Sequence, residues 1–281
     1  MGMKLYLKRA VKYIIKDHKP TIVKSEIVEK APSELFQGKT ILVTGGGSGL
    51  GYYIAKKLSS EGAKVIITGR NEENLKNAVK ELGNNIVYLK YDVKKVSKAD
   101  DFIEKVYKLY GKIDCLINNA GISLHEGNIM NVSEEGFQEQ FDTKLKGGYF
   151  LAQSYVKKFN EQKQKEGNII FISSERGSQC DDIPYGLTKV ALNSLIEGLS
   201  RRLYKQGIRV NGVAPGVTAS NMTKVKKDGN LYSERNASGR FFVPEEVAEV
   251  VSFMVSDCSK CISGEIIHCN AGNHLNPWFK N

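Results

Sequence analysis

Thr40-Ile41-Leu42-Val43-Thr44-Gly45-Gly46-Gly47-Ser48-Gly49-Leu50-Gly51 carries an apolar, β-branched stretch into five glycines and then straight into helix-forming sequence. This is the grammar of a strand, a tight turn and a helix, with the turn built to hold phosphate. Glycine alone lets backbone amides come close to a pyrophosphate, and the helix that follows offers unpaired N–H groups and the positive end of its dipole. The strict G-x-G-x-x-G spacing fits no register of the run. Glycines 45, 49 and 51 after Thr44 instead spell T-G-x-x-x-G-x-G.

Outward from this turn, short β-branched runs alternate with longer amphipathic stretches as far as residue 270. Such alternation predicts a parallel sheet with helices on both faces, an α/β, Rossmann-type, doubly wound, mostly parallel seven-stranded sheet. Strands are expected at 40–44, 64–68, 86–90, 113–117, 168–172, 208–213 and 265–268. A helix should follow each of the first six, the last starting near Pro244-Glu245-Glu246. The expected organisation is a basic amphipathic extension over 1–37, one dinucleotide-binding catalytic domain over 38–272 and a tail over 273–281. An irregular stretch at about 217–242, with Lys224, Lys226 and Lys227, reads as a functional loop.

Composition narrows the class. The 281 residues are 41% hydrophobic, enough for one sizeable core. No apolar run approaches the ~20 residues a membrane helix needs, and the N-terminus lacks a signal peptide's uninterrupted apolar region, so a cytoplasmic location is expected. The five cysteines, Cys115, Cys180, Cys258, Cys261 and Cys269, have no regular spacing, so no disulfide framework is expected. Cys258 and Cys261 form a C-x-x-C near His268 without a second pair, which favours ordinary thiols over a metal site; no metal is assigned. Of the net charge of +10, half sits in residues 1–19, where Lys4, Lys8, Arg9, Lys12, Lys16 and Lys19 face a single Asp17. Met3, Leu7, Ala10, Val11 and Ile14 fall at helical spacing in the same segment. Two readings stay open: peripheral contact with an anionic membrane surface, or, somewhat favoured, docking of the apolar stripe on the domain or a partner subunit. No nucleic-acid signature accompanies the charge, and no nucleic-acid partner is expected.

Two further landmarks lie downstream: Asn118-Asn119-Ala120-Gly121 closing the run Ile113–Ile117, and Tyr185-Gly186-Leu187-Thr188-Lys189 after Ile172-Ser173-Ser174. With the glycine turn and Pro215-Gly216, these resemble the short-chain dehydrogenase/reductase family over roughly residues 38–272. The resemblance implies an oxidoreductase acting on CH–OH with a nicotinamide dinucleotide. It assigns Gly45, Gly47, Ser48, Gly49, Leu50 and Gly51 to the cofactor turn, and Asp92 and Val93 to the adenine. Asn119, Ala120 and Gly121 would also contact the cofactor, and Pro215, Gly216, Thr218 and Ser220 would hold the nicotinamide carboxamide, Ser220 standing where threonine is usual. The loop at 217–242 becomes a substrate lid. Family members commonly form homodimers or homotetramers through the long helices after the fourth and fifth strands.

The second expected strand ends in Gly69-Arg70-Asn71. In NAD-binding members an acid occupies the place of Gly69; its absence, with the Arg70 guanidinium following, favours NADP(H) over NAD(H). For the chemistry, Tyr185 would act as acid/base, Lys189 one helical turn on would hold the nicotinamide ribose and help lower the phenol pKa, and Ser174 would hydrogen-bond the substrate oxygen. The serine-to-tyrosine interval is two residues short, which leaves Ser173 as the alternative to the better-fitting Ser174. Lys144 stands where the family keeps an asparagine that supports a water chain from the lysine to solvent. A charged lysine cannot accept a hydrogen bond and would oppose Lys189.

The expected pocket rim, Glu175, Arg176, Gln179, Asp181 and Asp182, is polar. It favours a polar small-molecule carbonyl or alcohol: a sugar, a polyol or a carrier-linked group whose phosphate the lid lysines would meet. Two alternatives remain, an enzyme like the 3-oxoacyl-carrier-protein reductases, and a non-catalytic dinucleotide-binding protein recruited through its N-terminal helix.

Overall fold

The computed structural model describes residues 34–234 and 236–275; the basic segment 1–19 and residues 276–281 lie outside them. Seven strands form one sheet in the order β3-β2-β1-β4-β5-β6-β7. They are β1 (Thr40–Thr44), β2 (Lys64–Gly69), β3 (Ile86–Lys90), β4 (Cys115–Asn118), β5 (Gly167–Ile172), β6 (Ile208–Pro215) and β7 (Ile266–Cys269). All six pairings are parallel, so the sheet is wholly rather than mostly parallel. The strand boundaries fall within two residues of those expected.

Ile41 of β1 pairs with Val65 on one side and Cys115 on the other. The chain therefore leaves β1 in one direction for β2 and β3 and later returns to its other side with β4. That reversal opens a crevice at the carboxyl ends of β1 and β4, where ligands bind in folds of this kind.

Among the described residues seven α-helices accompany the sheet: α1 (Gly49–Ser60), α2 (Glu72–Leu82), α3 (Ala99–Tyr110), α4 (Glu134–Phe141), α5 (Gly147–Glu161), α6 (Pro184–Leu203) and α7 (Pro244–Val255). The period of two along a strand sends alternate residues to opposite cores. Leu42 joins Phe102, Val106, Leu151, Tyr155 and Ile196 under α3, α5 and α6. Ile41 and Val43 join Ile54, Leu58, Leu75, Val247 and Met254 under α1, α2 and α7. All three β1 residues are fully buried, each worth about 2 kcal/mol of apolar transfer.

Helix starts follow local chemistry. Asn71 caps α2 by accepting from the Asn74 N–H at 3.1 Å, and Ser133 caps α4 by accepting from Gly136 at 3.0 Å. α7 begins with Pro244, and the Glu246 carboxylate reaches back to the Val243 N–H at 2.9 Å. Between α4 and α5 the chain makes a π-helical turn, Asp142–Lys146. Inserted turns of this type cluster at functional sites because the extra residue re-aims side chains. Here Thr143 and Lys144 are turned inward and buried.

Candidate active site

The crevice is a cavity of about 490 Å³ at the strand carboxyl ends. At one end lies the β1–α1 turn. Gly45 has φ +67° and Gly49 φ +55°, a region that favours glycine. A Cβ on Gly51 would fall 2.3 Å from the Gly45 carbonyl oxygen, so α1 can start this close to β1 only without a side chain there. Gly51 itself does not line the cavity; Gly45, Gly47, Ser48, Gly49 and Leu50 do.

Two observations fit this end to a dinucleotide. The N-cap Ser48 makes no side-chain bond to α1 and the first turn has no acid, which leaves its amides and the positive helix end to the cavity. The Cβ position of Gly49 faces open space. An anion at this helix end would satisfy those donors.

The Asn118–Gly121 segment ties the turn to β4. Thr44 Oγ1 donates to the Ile117 carbonyl and accepts the N–H groups of Asn119 and Ala120, both at 2.9 Å. Asn119 Nδ2 donates to the Thr44 carbonyl at 2.8 Å. The Asn119 side chain thus clamps the glycine turn, while Asn119, Ala120 and Gly121 also line the cavity.

Arg70, Asp92 and Val93 line the cavity beyond β2 and β3. The half-exposed Arg70 guanidinium lies 3.5 Å from Glu139, which Lys94 also approaches, at 3.4 Å. Asp92 accepts from the Lys94 backbone N–H at 3.0 Å. Pro215, Gly216, Thr218 and Ser220 line the wall beyond β6; Thr218 donates to the Gly216 carbonyl, and Ser220 is folded into a turn with Thr223. Sequence reasoning missed Asn221, Met222 and Thr223, which line the same wall.

At the other end Ser174, Tyr185, Lys189 and Lys144 converge. Ser173 is committed elsewhere, since its hydroxyl bonds Asn193 of α6. Ser174 instead accepts the Arg176 N–H at 3.3 Å and lines the cavity together with Tyr185. Lys189 is buried, donates to the Ile172 carbonyl at 2.7 Å, and lies 5.9 Å from the Tyr185 ring centre. Burial lowers its pKa to about 8. The Tyr185 pKa is shifted in the opposite direction to the one expected. Burial raises the phenol above its ordinary value, and the neighbouring Ser174 hydroxyl and the Arg176 charge oppose this only in part.

Lys144 is 4% exposed and has its Nζ 4.0 Å above the Tyr185 ring. It donates to Gln140 Oε1 at 2.9 Å, and Gln140 in turn donates to Glu126. Its side chain is turned into the protein rather than out to solvent. Gln140 was recoverable from its i, i+4 spacing to Lys144; no local signal identifies Glu126.

The rim differs from expectation in two respects. Glu175 and Arg176 line the cavity, but Gln179, Asp181 and Asp182 do not. The Asp181 carboxylate is buried in a two-point pair with Arg176, and Asp182 accepts from the Ile129 N–H. None of Lys224, Lys226 and Lys227 lines the cavity; Lys227 pairs with Glu245 at 2.7 Å. Glu175 is held from the far side of β7, where Asn270 and Asn273 both donate to its Oε2 at 3.1 Å.

The crevice thus joins a glycine turn at one end to a serine, a tyrosine and two lysines at the other. The chain belongs to the short chain dehydrogenase family, whose sequence profile matches residues 39–230. It is 36% identical to the 3-oxoacyl-[acyl-carrier-protein] reductase of Aquifex aeolicus, over 84% of this chain and 97% of that protein. It is 33% identical to dehydrogenase/reductase SDR family member 4 of Caenorhabditis elegans, over 83% and 94%. Among solved structures, the 3-ketoacyl-(acyl-carrier-protein) reductase of Brucella melitensis complexed with NADH superposes with a TM-score of 0.78 at 26% identity, covering 85% of this chain and 99% of that one. The protein is therefore an oxidoreductase acting on carbonyl and CH–OH groups.

Proposed function

We propose that this chain is an NADP(H)-dependent enzyme interconverting a carbonyl and a secondary alcohol, with a 3-oxoacyl group held as a thioester as its substrate class. The observation that carries the reading is the meeting, in one cavity, of Ser174, Tyr185 and Lys189 with the uncapped end of α1. The similarity to 3-oxoacyl-carrier reductases supports the thioester. Arg70 on the cavity wall, with no acid at Gly69, supports the 2′-phosphate. Glu139 beside Arg70 would have to yield it.

In this reading the amides of Gly45 to Leu50 hold the pyrophosphate, and Asp92 and Val93 the adenine. Asn119 to Gly121, Pro215, Gly216, Thr218 and Ser220 hold the nicotinamide half. When bound, the reduced nicotinamide supplies a hydride to the carbonyl carbon. Tyr185 gives its hydroxyl proton to the developing alkoxide, and Ser174 hydrogen-bonds the same oxygen. A phenol raised by burial is protonated at neutral pH, as an acid for reduction must be. Lys189 holds the ribose. Residues 38–272 work as one domain with 217–242 as the lid. The exposed Tyr149, Phe150, Leu187 and Val190 on α5 and α6 support a homodimer or homotetramer. The location is cytoplasmic, with residues 1–19 as a further contact to a membrane or the chain's own surface.

A second reading keeps the chemistry and changes the substrate. Glu175 brings a carboxylate to the cavity wall beside Ser174, which favours a sugar or polyol with hydroxyl donors.

Calorimetric titration with NADPH and NADH tests the cofactor: wild type should prefer NADPH by about tenfold or more, and Arg70→Ala should erase the preference. Acetoacetyl-N-acetylcysteamine thioester and a panel of sugars and polyols then test the substrate. Turnover should fall about 10³-fold in Tyr185→Phe. If neither nucleotide bound, the oxidoreductase assignment of this cavity would fail; binding with no turnover of any carbonyl would favour the non-catalytic alternative.

A further inference from the structure

Lys144 is the least ordinary residue of the cavity. It is a buried lysine without a carboxylate at ion-pair distance among the described residues. Burying an ammonium without a counter-ion is strongly unfavourable, whereas a buried amine needs only its hydrogen bonds. The surroundings suit the amine. One N–H goes to the neutral amide oxygen of Gln140, at 2.9 Å. A second can point into the face of the Tyr185 ring, whose centre is 4.0 Å away. That leaves the nitrogen lone pair as the one open position.

The charges facing Lys144 do not restore an ammonium. From α6 it meets Lys189, and from the segment after β5 it meets Arg176 with Asp181; the loop after β4 contributes Glu126. Arg176 and Asp181 are spent on each other. Glu126 reaches Lys144 only through Gln140, and its Oε2 has no partner although it is buried. A carboxylate acting through the Gln140 amide fixes which way that amide faces, with its oxygen toward Lys144. Burial first, and then Lys189, lower the Lys144 pKa to about 6.

We propose that Lys144 is a neutral, proton-exchanging amine of the active site, oriented by the Gln140–Glu126 chain, with its lone pair open to accept a proton from solvent. This rests on the reading of the cavity as a carbonyl–alcohol site. It reconciles lysine with the place of an asparagine: an amine with one lone pair both donates and accepts, as an amide does, and unlike an amide it can also carry the proton. During reduction the Tyr185 hydroxyl proton ends on the substrate oxygen and leaves a phenolate. A solvent proton taken up by Lys144 and passed to the Tyr185–Lys189 end restores the phenol. Lys144 ends as it began, and one proton has been drawn from water.

The charge state is tested without turnover. In the full chain labelled with ¹³C,¹⁵N-lysine, the side-chain Cε–Nζ correlations are followed with pH, and the Lys144 signal is assigned by its loss in Lys144→Asn. A titration near pH 6, well apart from the surface lysines, is expected. Titration together with the surface lysines would overturn the proposal. Relay is tested with NADPH and the acetoacetyl thioester from about pH 5 to about pH 9: Lys144→Met should lose an ionisation seen in wild-type kcat and fall about tenfold or more, while Lys144→Asn recovers most of the rate. Identical profiles and rates in wild type and Lys144→Met would overturn it. Absence of turnover in wild type, with the low titration intact, would instead count against the proposed substrate and leave the neutral amine standing.

Discussion

The two ends of the cavity are held by different physics. At the β1–α1 end the restraint is backbone against backbone: Gly51 sits where a Cβ would come within 2.3 Å of the Gly45 carbonyl, and Gly45 and Gly49 take positive φ. At the Tyr185 end the restraint is electrostatic, with two buried lysines, a half-buried tyrosine and a chain running from Lys144 through Gln140 to Glu126. The first end tolerates no added volume. The second stores an unfavourable desolvation and is sensitive to pH. Substitutions at the two ends should therefore move stability in opposite directions.

The largest effect is expected at Lys144. Its pKa is about 6 in the folded chain against an ordinary 10.5, so between these values the unfolded chain binds more protons than the folded one. Stability then rises with pH, and it is lost as pH falls from 10.5 toward 6, below which the slope vanishes. Lys144→Met removes this linkage. At pH 7 the variant should be more stable by roughly 2–4 kcal/mol, after allowing for the bond that Gln140 loses. The gap should widen by about 2 kcal/mol on going from about pH 8 to about pH 6. Urea denaturation at several pH values measures both. A variant less stable than wild type at every pH would place the cavity's strain elsewhere. Higher stability joined to lower turnover would instead mark a functional site maintained against stability.

Gly51→Ala should act in the other direction. The added methyl meets a carbonyl oxygen and Asn119 Nδ2, neither of which can withdraw without breaking the clamp between β1 and β4. Overpacking of this kind costs roughly 2–3 kcal/mol. Displacement of the turn should weaken dinucleotide binding by more than about tenfold, read by the same calorimetry. If affinity and stability both survived, the turn would be more compliant than its geometry implies.

The same contrast explains what could be read from the sequence. The glycine turn, the strand runs and the Tyr185–Lys189 spacing are local, because sterics and helical period act over a few residues. The choice between Ser173 and Ser174 was not local. It turns on Asn193, 20 residues on, which accepts the Ser173 hydroxyl and so favours Ser174. Lys144 was legible as a departure from a family pattern, but its consequence was not. The π-helical turn buries it against Gln140 four residues back, and Glu126 joins that chain only once the loop after β4 meets α4. Glu175 depends on Asn270 and Asn273, which follow β7 and arrive from nearly 100 residues away. The polarity of the rim was therefore readable while its pairing was not: Asp181 closes on Arg176, and Lys227 pairs with Glu245. The direction of the Tyr185 pKa likewise depends on burial, which no spacing encodes.

The smallest effect calibrates the other two. Gly198 is an exposed glycine inside α6, and a Cβ there would meet nothing within 4 Å. Its φ is not in the left-handed region, so alanine fits the existing backbone. The change restricts the unfolded chain and improves helix propensity without touching the cavity. It should add about 0.5–1 kcal/mol of stability, with nucleotide binding and the pH slope of stability unchanged. If Gly198→Ala altered the pH slope, the slope would no longer report on the Lys144 end alone. The opposite signs at Lys144 and Gly51 would then have to be explained by a change spread through α6, the helix that carries Tyr185 and Lys189.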